Sequence, residues 1–332
     1  MSLPCFQGYD LIGDVHGCAI SLRLLLDKLG YVKKGGVYRH PSRQAIFLGD
    51  IVDRGPHIRE AMHIVHDMVE AGSAQIVMGN HEYNLLCLLT SSREGSSEPY
   101  LRSHTERHLR IVRETLDQFE AYPDERQAFL DWILEMPLFL EFDTFRVIHA
   151  CWPEDMIRKF KLMQGGNKID RDFLFRSAVH NSFEWTFMDR TLRGTHLRLP
   201  NEEVMISKDG YRRHFFRTKF WAQEPYYYAD VVFQPDPLPE HIARMPLTEQ
   251  DHEDLMFYGL DQKPLFIGHY WRDGEPATIT DNIACLDYSA VKYGKLVAYR
   301  YDHETVLSRD KFVWVDVIKE VAGFNPFAGK IR

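Results

Sequence analysis

Asp14, His16, Asp50, Asn80, His81, His149 and His269 carry oxygen or imidazole donors, and each follows closely on a short apolar run. The five stretches read YDLIGDVHG, FLGDIVDRG, QIVMGNHE, FRVIHACW and PLFIGHYW. Such donors, without a thiolate, suit Mn, Fe, Zn, Ni or Co, and the imidazoles make a site for Mg or Ca alone less natural. Asp14 and His16, with one residue between them, can grip one ion. Asp50 can bridge to a second ion held by Asn80, His149 and His269. Two ions about 3.5–4 Å apart activate water and clamp the oxygens of an in-line displacement at phosphorus, so the natural substrate is a phosphate ester.

Three further residues complete a hydrolytic mechanism. Arg54 has the planar fork that matches phosphate oxygens, and it lies close to Asp50 in sequence. His81 adjoins Asn80 and is placed to protonate the leaving oxygen, with Asp53 to hold its ring cationic. Any one of these histidines alone is more often a hydrogen-bonded core residue; the recurrence of the pattern argues otherwise. His180, His196 and His214 compete with His269, but none of them follows an apolar run. For Arg54 the plain alternative is a surface ion pair with Asp53 or Glu60.

These loops need rigid elements behind them. Tyr9–Ile12, Ala45–Leu48 and Gln75–Met78 read as buried strands, and Gly49 lets the second turn sharply into its carboxylates. Ala19–Leu29 has helical leucine spacing and stops at Gly30. Tyr31–Arg43 reads as a turn or edge hairpin. Pro56 opens a helix reaching Glu70, and a helix spans Tyr83–Leu89. Alternating strands and helices imply right-handed crossovers and a parallel sheet with ligands at its carboxyl edge.

Ser91–Pro99 is a loop by composition, Leu101–Phe119 and Asp124–Leu134 are helical, and Leu138–Phe142 with Phe145–His149 forms a hairpin. From Trp152 to Lys263 the pattern loosens. Asp170–Met188 suits one helix, and Arg212–Trp221 is a strand or a packed cap. The prolines at 235, 237, 239 and 246 exclude a long regular element. Arg212, Arg213, Arg217 and Lys219 read as a solvated strand face, with a phosphate-binding cap as the minority alternative. Phe215, Phe216, Phe220, Trp221 and Tyr226–Tyr228 read as cap core before base-stacking groups. Leu265–Ile267 returns to the core, and Ala277–Thr280, Ile283–Asp287, Leu296–Tyr299 and Phe312–Val317 read as short antiparallel strands.

At 332 residues, 45% hydrophobic and 27% charged, the chain has the composition of a globular protein. Its net charge of −8 argues against bulk nucleic-acid binding. Cys5, Cys18, Cys87, Cys151 and Cys285 are scattered and form no CxxC pair, which suits reduced thiols and a cytoplasmic location. No membrane span or signal core is expected, and Met1–Leu3 can belong to a leader. The oligomeric state is not legible.

GDVHG, GDIVDRG and GNHE, followed by the histidines of HAC and GH, resemble the calcineurin-like metallophosphoesterases, and most of all their phosphoprotein phosphatase branch with its bacterial serine/threonine phosphatases and diadenosine tetraphosphatases. The resemblance implies an α/β protein: a four-layer αββα β-sandwich flanked by helices. Residues 1–151 and 264–332 would form its core and 152–263 an inserted cap over the site. It implies two transition-metal ions, with Mn the leading choice, bound by Asp14, His16, Asp50, Asn80, His149 and His269, and catalytic roles for His81, Asp53 and Arg54. LDYSAVKYGKLVAYR is similar to a late segment of bacterial members and brings in Asp287 as a substrate-facing or supporting residue. The implied activity is hydrolysis of phosphate monoesters, including those of phosphoproteins. The alternatives are hydrolysis of a dinucleoside polyphosphate or of a nucleic-acid terminal or cyclic phosphate, and an inactive metal-binding regulator. HACW and the long insertion depart from the pattern, so substrate choice is the least transferable feature.

Overall fold

The structure, a computed structural model, describes residues 6–206, 212–233 and 238–318. The chain opens with β1 (Gly8–Ile12), and α1 (Ala19–Leu29) ends at Gly30, whose φ of 91° lets its N–H turn back to Leu26 and Asp27 carbonyls. A hairpin of β2 (Val32–Lys34) and β3 (Val37–Arg39) leads to β4 (Arg43–Phe47), α2 (Ile58–Glu70) and β5 (Ala74–Ile76). The next helix, α3 (Asn80–Leu89), starts three residues before the predicted Tyr83, because the Glu82 carboxylate accepts from the Gly79 N–H and caps the first turn. In α4 (Glu106–Gln118) the Thr105 hydroxyl accepts from the His108 N–H, so the helix begins later than Leu101. Pro123 opens α5 (Pro123–Leu134).

β6 (Phe139–Glu141) and β7 (Arg146–Ile148) form the expected hairpin. Then come α6 (Glu154–Gln164), α7 (Arg171–Ser177) and α8 (Phe183–Arg193). The single helix expected over Asp170–Met188 is two, since Asp170 and Ser182 each cap a separate start and Asn181 adopts a left-handed φ of 64°. β8 (His196–Arg198) pairs with a later strand, and β9 (Met205–Ile206) with β10 (Arg212–Arg213). β11 (Phe215–Arg217) is the partner of β8. Three short helices, α9 (Tyr228–Val231), α10 (Glu240–Ala243) and α11 (Glu249–Asp254), precede β12 (Leu265–Ile267). Pro235 and Pro237 lie outside the described residues, as do Met1–Leu3 and Cys5.

β13 (Ile283–Cys285), β14 (Asp287–Tyr288), β15 (Lys295–Tyr301) and β16 (Phe312–Asp316) close the chain. Two of these elements differ from expectation. Ala277–Thr280 forms no strand beyond a bridge from Thr280 to Ile283. β13 is parallel to β12, and its fully buried Ile283, Ala284 and Cys285 suit an interior position.

Two sheets result. The larger runs β14-β15-β1-β4-β5, with β16 on β15, and β1, β4 and β5 are parallel. The smaller runs β13-β12-β7-β6, with β13, β12 and β7 parallel. Leu11, Ile46, Val77 and Tyr299 from the first meet Val147, Phe266 and Ala284 from the second in one apolar layer. α1 and α2 cover the outside of the first sheet, and Phe160 of α6 packs edge-on against Phe139 of the second. The architecture is thus a β-sandwich between helices, and the carboxyl ends of β1, β4, β5, β7 and β12 release the five donor-bearing stretches. Among the described residues no helix is long and apolar enough to cross a membrane.

Candidate metal centre

The donor loops hold unusual backbone. His16, Asp50, Asp53, Arg54 and His269 all have positive φ, between 44° and 70°. Such conformations cost non-glycine residues free energy and persist only where the surroundings enforce them. Gly49 supplies one enforcing contact: at φ 88° a Cβ there would lie 2.4 Å from the Gly79 nitrogen. Glu82 supplies another. Its buried carboxylate accepts from the N–H groups of Asp50 at 2.7 Å, Ile51 at 2.7 Å, Val52 at 3.2 Å and Gly79 at 3.0 Å. Burial and the neighbouring Asp50 push its pKa up to about 7. Glu82 thereby ties the exit of β4 to the start of α3. Its place in GNHE was the only sequence signal for this role.

Asp50 is the shared member of two donor groups, His16–Asp50–His81 and Asp50–His149–His269, within each of which the ligand atoms lie inside 4.8 Å of one another. The tautomers are set from behind. His16 Nδ1 lies 2.9 Å from the Val52 carbonyl and His149 Nδ1 lies 2.6 Å from that of Leu48, so both donate there and turn Nε2 toward Asp50. The Asn80 Oδ1 is 3.1 Å from His149 Nε2. Asp14 enters from the other side, its Oδ2 accepting from the His269 N–H at 3.3 Å. Among the donor residues two buried atoms have no hydrogen-bond partner, Asp14 Oδ1 and His269 Nε2.

The electrostatics fit cations. Burial, Asp287 and Asp50 push Asp14 well above the usual carboxylate range. Burial and the His81 imidazole depress His16 to about 3, and burial with Arg217 depresses His269 well below its ordinary value. Neutral imidazoles, crowded carboxylates and orphaned lone pairs are what divalent ions would complete. The donor set of Asp14, His16, Asp50, Asn80, His149 and His269 therefore fits two transition-metal ions by its oxygen and nitrogen chemistry.

His81 differs from the other imidazoles. Its Nδ1 is 2.7 Å from Asp53 Oδ2, which leaves Nε2 on the donor side, 3.9 Å from Asp50. Burial pulls its pKa down, but Asp50 and Asp53 together hold it above the ordinary value. Asp53 is oriented in turn by the Thr115 hydroxyl, which donates to its Oδ1 at 2.5 Å. Thr115 had no sequence signal, being 62 positions away on α4. Glu60, a candidate partner for Arg54, instead pairs with Arg23 at 2.7 Å.

Above these groups lies a cavity of about 460 Å³. Asp14, His16, Asp50, Asn80, His81 and His269 form its floor, while His149 is sealed beneath. Arg54 and Asp287 stand at its side, and the Asp287 Oδ1 accepts from the Ser289 N–H at 2.9 Å. The stretch after β9 contributes Arg213, Arg217, Phe215 and Phe233. Arg213 and Arg217 thus face the cavity, contrary to the expectation of a solvated face, because the pairing of β10 with β9 places the first and that of β11 with β8 the second; Arg212 and Lys219 are not in its lining. Trp271 and Lys292 also line it and were not anticipated, Lys292 lying 5.3 Å over the indole. Of the competing histidines, His196 reaches the wall, depressed to about 4 chiefly by burial, but none joins the donor groups.

Residues 10–259 match the calcineurin-like phosphoesterase family. The chain is 34% identical over 180 residues to bis(5'-nucleosyl)-tetraphosphatase PrpE (asymmetrical) of Oceanobacillus iheyensis, a match covering 53% of this chain and 67% of that protein. It is 51% identical over 74 residues to the protein of the same name from Halalkalibacterium halodurans, covering 22% and 30%. Over the Geobacillus relative, 32% identical, it spans 59% of that protein's length. Solved structures similar over most of the chain include a protein serine/threonine phosphatase from Saccharomyces cerevisiae, 14% identical with a TM-score of 0.49, covering 98% of this chain and 84% of that one. A cold-active protein-tyrosine phosphatase of a Shewanella species is 15% identical with a TM-score of 0.46, covering 91% and 81%. With the family matched over most of the chain, this protein belongs to the calcineurin-like phosphoesterases and is a metal-binding hydrolase of phosphate esters.

Proposed function

We propose that the chain is a two-metal phosphohydrolase whose preferred substrate is a nucleotide, a dinucleoside polyphosphate in particular. Asp14, His16, Asp50, Asn80, His149 and His269 would hold the ions, Asp50 being common to both donor groups. Two ions bound there would supply Lewis acidity and activate water for attack near neutral pH. Arg54 grips and orients the phosphoryl group through its guanidinium fork. His81 delivers a proton from Nε2 to the leaving oxygen, while Asp53 holds its Nδ1–H and Thr115 holds Asp53. Mn is the proposed native metal, given donors that are all oxygen or imidazole nitrogen. The buried thiols of Cys87, Cys151 and Cys285, none of them in a disulfide, support a cytoplasmic setting. Within residues 152–263, α6 packs on the second sheet as part of the core, and the stretch 196–233 acts as a cap that supplies the upper wall of the site.

The observation that carries the substrate reading is that wall. One phosphoryl group is met by Arg54 and the ions; Arg213, Arg217 and Lys292 exceed that need and suit a chain of phosphates. Phe215, 55% exposed, and Trp271 offer faces for a base. The name shared by the curated relatives agrees with this chemistry. A phosphomonoesterase acting on phosphoprotein uses the same machinery, and the exposure of Arg54 favours it as the second reading. Turnover of diadenosine tetraphosphate, a phosphopeptide and p-nitrophenyl phosphate, each with Mn²⁺, tests both. The highest kcat/KM is expected for the dinucleotide. A higher value for the phosphopeptide would reverse the ranking, and no turnover of any would overturn the proposal.

A further inference from the structure

A second cavity, of about 430 Å³, shares a wall with the first. The divider is the turn Ala290–Lys292, held between left-handed Ser289 at φ 55° and Tyr293 at φ 61°. Ser289 and Lys292 line the metal-side cavity, Ala290 and Tyr293 the second, and Val291 both. Arg54 also lines both, so the proposed phosphate-binding side chain stands at the junction.

The second cavity has a different chemistry from the first. Ile20 and Leu24 of α1 and Pro56 give it apolar walls, and Arg54 is the one cation among its described lining residues. Glu114 and Asp117 of α4 supply carboxylates. α4 is the helix that also presents Thr115 to Asp53, so the cavity lies along the same support as the proposed acid. The size falls in the range of about 300–1,000 Å³ usual for small-molecule sites.

We propose that this cavity holds one nucleoside end of the substrate, with the phosphates leading through Arg54 into the metal-side cavity. The proposal rests on the nucleotide reading above. Charge fixes the direction of the ligand. The carboxylates of Glu114 and Asp117 repel phosphate but accept hydrogen bonds from ribose hydroxyls or an exocyclic amine. The apolar wall takes a flat, uncharged base, which a bare polyphosphate cannot offer. A dinucleoside polyphosphate has two such ends: Phe215 and Trp271 face one, and this cavity receives the other.

Leu24 is half-buried on the cavity wall, so Leu24→Trp fills the space from the surface of α1 without cutting into the core. The experiment compares the metal-loaded wild type and Leu24→Trp on diadenosine tetraphosphate and on inorganic tripolyphosphate, which has no base. The ratio of the two kcat/KM values is expected to fall by about tenfold or more, through KM. Adenosine titrated calorimetrically into the wild type should bind saturably, and the stoichiometry should fall by one site per chain in the variant. Ile20→Trp fills the same wall if Leu24→Trp does not fold. Turnover of the dinucleotide with an unchanged ratio would overturn the cavity assignment and leave the nucleotide reading standing; absence of adenosine binding would do the same. If the wild type turns over monoesters but no dinucleotide, the nucleotide reading falls and the assignment with it. A selective loss of phosphopeptide turnover would give the cavity to a peptide and overturn the assignment too.

Discussion

The carboxylate of Asp53 lies 2.7 Å from Nδ1 of His81, and both side chains are shielded from solvent. A proton donor held this way has one ring nitrogen committed and the other aimed at the donor groups. His81→Ala should keep both metal ions and lose about 10²–10⁴ in kcat. Asp53→Asn should cost less, about 10–100-fold, by loosening the ring. Elemental analysis beside steady-state turnover checks both. Loss of metal in His81→Ala would make the residue a ligand.

Asp50 belongs to both donor groups, so its removal should empty both positions together. Asp50→Asn is expected to drop the metal content from two ions per chain toward none, measured on protein loaded with excess Mn²⁺ and desalted. Retention of two ions would remove Asp50 from the bridging position.

Gly49 tests whether the backbone sets the site. Ala at that position must adopt φ near 88° and place its Cβ 2.4 Å from the Gly79 nitrogen. The left-handed conformation alone costs roughly 1–2 kcal/mol, and the clash adds to it. Gly49→Ala should lower stability by about 2 kcal/mol or more and weaken metal binding, because Asp50 follows directly. Denaturant titration with and without Mn²⁺ measures the two effects separately.

Glu82→Ala leaves four backbone N–H groups without their buried acceptor. Each buried unpaired donor costs about 1–3 kcal/mol, so a loss of at least about 3 kcal/mol is expected, together with weaker metal retention. Unchanged stability by chemical denaturation would show that other groups fasten this loop.

At the opposite end of the larger sheet, Asp302 accepts from Arg43 and, at 2.6 Å, from Lys311. Burial opposes ionisation there, but Arg43 and Lys311 hold its pKa below the ordinary value. A depressed folded-state pKa gives stability that is present above the unfolded value of about 3.9 and is lost as pH falls through the lower folded value. The side chain is 44% exposed, so screening keeps the contribution under about 1 kcal/mol. Asp302→Asn should therefore be slightly less stable than wild type at pH 7, and the gap should close in acid.

Much of the site could be read from the chain because each donor sits beside its own strand. The apolar runs before Asp14, Asp50, Asn80, His149 and His269 are local signals, and the sandwich brings their ends together. What escaped notice depends on distant pairing. Thr115 reaches Asp53 from α4, and Lys292 and Trp271 meet only when β12 and the turn after β14 converge on one cavity. The inward placement of Arg213 follows from the pairing of β10 with β9 and that of Arg217 from the pairing of β11 with β8, neither of which an aromatic, basic stretch specifies. Likewise Ile283–Cys285 is too short and too uniformly apolar to reveal whether its neighbours run parallel. The break after Ser177 was legible in principle, since Ser182 is a capping residue followed by a helical pattern.

The carbonyls of Leu48 and Val52 occupy Nδ1 of His149 and His16 whatever else is bound. Each ring can then present only its far nitrogen, and an arriving ion meets no isomer that must first be corrected. Loading becomes a question of supply and of stripping water from the ion, with the folded chain serving as a mould more than as a hinge.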